Sequence, residues 1–213
     1  MNFYKTHLHI SRQEILRLFI KWTCYIHCAQ VLLRRILLLS GVCVGTMADT
    51  QASLLLRKQL KDLSRRPVEG FSAGLVDDSN IFEWNVTIIG PPDTLYEGGF
   101  FNAIMSFPPN YPNSPPSVRF TSEMWHPNVY PDGRVCISIL HAPGDDPNGY
   151  ELASERWSPV HTVETILLSI IAMLSSPNDE SPANIDAAKE WRESREEFKR
   201  KVSRIVRRSQ EAL

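Results

Sequence analysis

All fifteen prolines of this 213-residue chain fall between Pro67 and Pro182. Proline lacks the amide proton that a helix interior needs, and its ring clashes with the preceding turn. Long helices are therefore expected at the two ends of the folded part, with strands and loops between them. Leu56, Leu60 and Leu63 recur at helical spacing with Arg57, Lys58 and Lys61 turned outward, and Pro67 and Gly70 stop the pattern. Phe71, Ala73 and Leu75 then alternate, and residues 76–80 are turn chemistry. Two further alternating runs follow, Phe82, Trp84, Val86, Ile88 and then Phe101, Ala103, Met105, Phe107, and a short fourth run covers 118–120. Short connections between neighbouring runs predict a four-stranded antiparallel meander with one apolar face in need of cover.

The cover lies further along. Val163, Ile166, Leu167, Ile170, Ile171 and Leu174 form an apolar helix stripe, with Thr162 as N-cap, Glu164 in the first turn and Pro177 after the end. Two more helical stretches run over 185–191 and 195–210, the last with Phe198, Val202, Ile205 and Val206 on one face. Its Lys199, Arg200, Lys201, Arg204, Arg207 and Arg208 resemble a nucleic-acid patch only in isolation. Interleaved Glu193, Glu196 and Glu197 make a solvated helix face the better account. The fold class is α+β: an N-terminal helix, the meander, a crossing helix and two C-terminal helices.

With 43% hydrophobic residues the chain has material for one sizeable core, and a net charge of −1 argues against a dedicated nucleic-acid binder. That balance hides two kinds of material. Residues 1–46 carry Lys5, Arg12, Arg17, Lys21, Arg34 and Arg35 against Glu14 alone, leaving 17 basic and 23 acidic residues for the remainder. Three of the four cysteines (Cys24, Cys28, Cys43) also lie there. Cysteines so divided make no disulfide framework, which suits a reducing, intracellular compartment. The uncharged run 22–33 is shorter than the roughly 20 residues a bilayer span needs, and Cys24, His27 and Cys28 match no standard zinc spacing. The expected organisation is an apolar, basic extension over 1–46 outside the fold, with weak surface-membrane association as a second reading, and a domain over 47–213. Met47 is an alternative start.

Between the fourth strand run and the crossing helix, residues 121–161 show no periodicity yet hold the domain's single thiol, Cys136. Such loops on a rigid sheet are where function concentrates. Taken singly, Cys136 is either a small buried hydrophobe or a nucleophile, His126 a histidine bonding nearby backbone, and Asn128 a turn residue. A thiol, an amide and a histidine within eleven residues also suit acyl transfer.

The order of motifs adds to this. Gly90-Pro91-Pro92 precedes Tyr96-Glu97-Gly98-Gly99; Phe107-Pro108-Pro109, Tyr111-Pro112 and Pro115-Pro116 follow; then come His126-Pro127-Asn128, Cys136 eight residues on, Trp157-Ser158-Pro159 and Ser176-Pro177-Asn178. From about residue 53 onward the chain resembles a ubiquitin-conjugating enzyme. Residues 141–156 further resemble the acidic insertion of a subgroup associated with degradative polyubiquitin chains, several members serving quality control at the endoplasmic reticulum.

The resemblance implies a mechanism. Cys136 accepts ubiquitin from the activating enzyme as a thioester and passes it to a lysine, with a RING-type ligase. Asn128 donates to the developing oxyanion or orders the adjacent loop, and His126 is structural near the site rather than the base. No metal or organic cofactor is implied, since ATP is consumed by the activating enzyme. Arg57, Lys58 and Lys61 match the surface meeting the activating enzyme and ligases, and residues 109–115 with Ser158 and Pro159 match two ligase-binding loops. Leu168 matches the surface that holds donor ubiquitin. Ser138 and Ser181 stand where many members carry acidic residues, and Asn113 where many place phenylalanine. Asp145, Asp146 and Glu151 either supply the missing negative charge to the incoming lysine or form a solvated loop. Rival readings are a non-catalytic ubiquitin or ligase scaffold, conjugation of another ubiquitin-like modifier, and a Cys–His–Asn hydrolase. The implied location is cytoplasmic, at the cytosolic face of the endoplasmic reticulum for the subgroup.

Overall fold

In the antiparallel sheet, apolar residues of four strands meet in rows. The strands are β1 (Phe71–Leu75), β2 (Glu83–Ile89), β3 (Phe100–Ser106) and β4 (Ser117–Phe120), in that order across the sheet. Register places Trp84 beside Met105 and Met105 beside Val118, then Val86 beside Ala103 and Ala103 beside Phe120, and Phe71 beside Ile88 and Ile88 beside Phe101. Apart from Ala73 and Leu75 on the first strand, which are half-buried, the alternating positions read from the sequence within these strands are buried. Such cross-strand pairs are the units that stabilise a sheet. This is a computed structural model and describes residues 50–211; the extension at 1–46, its three cysteines and the alternative start at Met47 lie outside the described residues.

Four helices accompany the meander: α1 (Gln51–Arg65), α2 (Val163–Ser175), α3 (Ile185–Glu193) and α4 (Arg195–Glu211). The crossing helix α2 buries Val163, Ile166, Leu167, Ile170 and Leu174, each worth about 1.5–3 kcal/mol of transfer free energy. Ile171 departs from the expected stripe: it is half-buried, and Met173 takes the core place. Ile171 packs instead over Gly70, where even a β-carbon would lie 3.0 Å from its Cδ1. Thr162 caps α2 as its position suggested, and Thr165 completes a reciprocal capping box.

Long-range polar contacts fasten the helices. Gln59 of α1 accepts from the Val163 amide at 2.8 Å and donates to the Tyr111 hydroxyl at 3.1 Å. In α4, Ser209 accepts from the Phe100 amide and Gln210 donates to the Gly98 carbonyl. The basic residues of α4 are largely paired, Lys199 with Glu196, Arg200 with Glu197, Lys201 with Glu190 and Arg208 with Glu123. Two of these partners, Glu196 and Glu197, are the interleaved charges of the sequence, and the other two come from α3 and the loop after β4. Gly90 has a steric cause: a β-carbon there would lie 1.7 Å from the Tyr96 carbonyl oxygen. Among the described residues no helix is long and apolar enough to cross a membrane.

Candidate functional site

The segment from Trp125 to Asn128 is irregular backbone held from several directions. The Tyr96 hydroxyl donates to the Trp125 carbonyl at 2.7 Å, and the Trp125 ring donates to Glu190 at 3.0 Å. The Pro127 carbonyl accepts from the amides of Ala183 and Asn184. His126 is fully buried; its Nδ1 accepts from the Asn128 amide at 2.9 Å, so Nε2 carries the proton and donates to the Met173 carbonyl at 3.0 Å. Burial pushes its pKa down to about 4, outweighing the Met173 bond that favours the charged form. Both ring nitrogens are occupied by backbone partners and the ring is neutral near pH 7.

Asn128 is also buried. Its Nδ2 donates to the Asn178 carbonyl and its Oδ1 accepts from the Asn178 amide, both at 2.8 Å. These two bonds hold the Asn178 backbone against the segment before Cys136. Nδ2 carries two hydrogens, and Asn178 takes one.

A turn at 131–133 delivers Cys136. Gly133 has φ of +89°, and a β-carbon there would lie 2.3 Å from the Phe120 carbonyl oxygen. Bridges pair Arg119 with Arg134 and Val129 with Val135, and the Cys136 amide donates to the Asn128 carbonyl at 3.0 Å. Cys136 is half-buried and is the free cysteine of the described residues. It lines a cleft of about 340 Å³ together with Pro115, Tyr130, Arg134, Leu140 and His141. Tyr130 lies close enough that the Cys136 charge and hydrogen bond push its phenol pKa up.

His141 was not singled out in the sequence. A 3₁₀ turn at Ser138–Leu140 folds the chain back so that His141 Nε2 lies 3.5 Å from Cys136 Sγ. Its Nδ1 contacts both oxygens of Glu151, at 2.9 and 2.8 Å. Arg156 bonds Glu151 at 3.0 Å and reaches Asp146 at 3.4 Å. The only signal for this in the sequence is a histidine five residues after the thiol.

The acidic residues of the insertion therefore divide. The Asp146 side chain is 8% exposed and accepts from the amides of Asn148, Tyr150 and Glu151, bonds that hold its carboxyl below the usual range. Glu151 is turned inward on His141, and Asp145 is exposed. Burial would raise the Glu151 carboxyl; bonds from His141 and Ser138 with the Arg156 charge offset it and hold the carboxyl lower than usual.

The docking candidates lie on α1, on the 109–115 and 158–159 segments, which Gln59 and Trp157 link to one another, and on α2. Arg57, Lys58 and Lys61 are exposed on α1, and Leu168 is 40% exposed on α2. The 158–159 segment is tied to the proline-rich connection because the buried Trp157 ring donates to the Pro112 carbonyl at 2.8 Å. Among the described residues no cluster of His, Cys, Asp or Glu is arranged to hold a metal.

Comparison with known proteins bears on the same segment. The family model described as ubiquitin-conjugating enzyme matches residues 55–206. Ubiquitin-conjugating enzyme E2 7 of Arabidopsis thaliana is 82% identical over 162 residues, 76% of this chain and 98% of that protein. Ubiquitin-conjugating enzyme E2 G2 of Homo sapiens is 58% identical over 163 residues, with the same shares. The solved structure of human ubiquitin-conjugating enzyme E2 G1 superposes with a TM-score of 0.53 at 57% identity, covering 60% of this chain and 97% of that one. With the match spanning α1 to α4 and enclosing the whole Cys136 segment, this chain belongs to the ubiquitin-conjugating enzymes, transferases that act through a thioester intermediate.

Proposed function

We propose that Cys136 is the residue that takes ubiquitin from the activating enzyme, and that the product is a degradative polyubiquitin chain built with a RING-type ligase at the cytosolic face of the endoplasmic reticulum. The single observation that carries the first part is the setting of Cys136: a half-buried free thiol on a cleft, its amide bonded to Asn128. A thiolate is nucleophilic near neutral pH, and its thioester stays reactive toward amines. The insertion at 141–156 supports the chain-building part, since it borders the thiol directly through His141.

In this reading Asn128 holds the Asn178 loop over the site and offers its second amide hydrogen to the oxyanion formed as lysine attacks. The exposed basic residues of α1 meet the activating enzyme and ligases, Ser158 and Pro159 join residues 109–115 as the ligase surface, and Leu168 steadies the donor ubiquitin. No cofactor enters, because the activating enzyme supplies the energy of the thioester from ATP.

The test is incubation of the full chain with activating enzyme, ATP and ubiquitin, followed by a non-reducing gel. A thiol-sensitive adduct that disappears in Cys136→Ala is the expected result. Absence of any adduct from a folded protein would favour the scaffold reading. Linkage of the chains formed on adding a ligase tests the second part.

A further inference from the structure

Two features of the insertion converge on one nitrogen. Glu151 holds His141 Nδ1 with both carboxylate oxygens, so that nitrogen carries a ring proton, and in the neutral ring it is Nε2 that keeps the lone pair. That lone pair faces Cys136 Sγ at 3.5 Å. In the free enzyme it meets the thiol proton. Once the sulfur is acylated there is no thiol proton, and an unoccupied base stands beside the reacting centre. His126, on the other side of Cys136 in the sequence, has no such freedom, since both its nitrogens are spent on backbone.

Resting on the reading of Cys136 as the thioester carrier, we propose that His141 is the catalytic base that deprotonates the attacking lysine, with Glu151 as its positioning residue. The lysine arrives as an ammonium and loses one proton to Nε2, which releases it to solvent. The amine nitrogen then bonds to the thioester carbonyl carbon, and the carbon–sulfur bond breaks. The second proton leaves that nitrogen for Nε2 and passes to Sγ, restoring the thiol and the neutral ring. Positioned proton transfer of this kind contributes on the order of 10²- to 10⁴-fold to a rate. Arg156 completes the set by holding Glu151 at 3.0 Å, and it is itself anchored by Asp146. The groups facing His141 that titrate or carry charge are thus Cys136, Glu151 and Arg156, with Tyr130 and Arg134 across the cleft and Asp146 behind Arg156.

The experiment is single-turnover discharge. Full-length wild type, His141→Gln, His141→Gly and Glu151→Gln are loaded with ubiquitin to completion, ATP is removed, and free lysine is added across a pH series. The wild-type rate should bend as the base titrates. In His141→Gln the rate should fall by about 100-fold at neutral pH and rise without a bend, in step with the fraction of free amine. Glu151→Gln should lose roughly tenfold while retaining a bend, because the ring is still present but less firmly held. Added imidazole should accelerate discharge in His141→Gly and leave wild type unchanged. Discharge of His141→Gln within threefold of wild type with the same pH profile would overturn the proposal, as would a uniform loss at every pH with no imidazole rescue. Failure of wild type to load on Cys136 is read before lysine is added; it would sink the carrier reading and this proposal with it.

Discussion

Asn128 grips the backbone of Asn178 at two points, donating to its carbonyl and accepting from its amide, both at 2.8 Å. Fifty residues separate the two, so this one side chain joins the segment before Cys136 to the loop after the crossing helix.

Removing that grip leaves the Asn178 amide and carbonyl without partners in a partly buried place. Asn128→Ala is expected to cost about 1–3 kcal/mol of stability in urea unfolding. Amide exchange at residues 178–181 should quicken in the same variant. Unchanged protection there would show that the loop does not depend on Asn128.

His126 makes stability pH-dependent. Its folded pKa of about 4 lies below the unfolded value of 6.5, so between these the unfolded chain binds more protons. The stabilisation is complete above about pH 6.5 and falls as pH drops toward 4, by about 3 kcal/mol in total. Urea unfolding of wild type and His126→Gln near pH 7.5 and 4.5 checks this. The variant, although weaker at both, should show a smaller difference between them.

Asp146 and Asp145 are neighbours with opposite exposure. Asp146→Ala strands three amides and removes one of the two carboxylates that Arg156 meets. Limited proteolysis within 142–156 should accelerate while the melting temperature of the domain moves little, since the loop lies outside the core. Asp145→Asn should leave proteolysis unchanged and reduce the salt dependence of chain formation, because only an exposed carboxylate can steer lysine through solvent. Equal proteolysis of the two variants would contradict the division.

Gly133 meets two constraints at once, a left-handed backbone and the Phe120 carbonyl. Gly133→Ala should lose about 1–3 kcal/mol from backbone strain alone, with the steric clash adding to it. Gly144 has φ of +103° but nothing within 4 Å of a β-carbon, so Gly144→Ala should be markedly milder in the same unfolding assay.

Much of the fold was legible because its signals are periodic. Trp84, Val86 and Ile88 alternate and are buried; Ile166, Leu167, Ile170 and Leu174 recur at helical spacing and are buried. Ile171 broke the pattern for a tertiary reason, its neighbour being Gly70 at the edge of the sheet. The half-buried, isolated Cys136 was likewise visible, as one thiol in an aperiodic loop.

The rest of the site has no period to read. His141 sits within a stretch that looked merely acidic, and its approach to Cys136 depends on a single 3₁₀ turn. Asp145 and Asp146 are the same residue type in sequence, and only folding turns one toward solvent and the other onto amides and Arg156. By itself the sequence determined the element order, the core stripes and the identity of the thiol, because these depend on spacing along one chain. Which nitrogen faces that thiol, which carboxylate holds it and what Asn128 grips were decided by tertiary structure, because hydrogen bonds are set by angstrom distances between segments that sequence spacing does not encode.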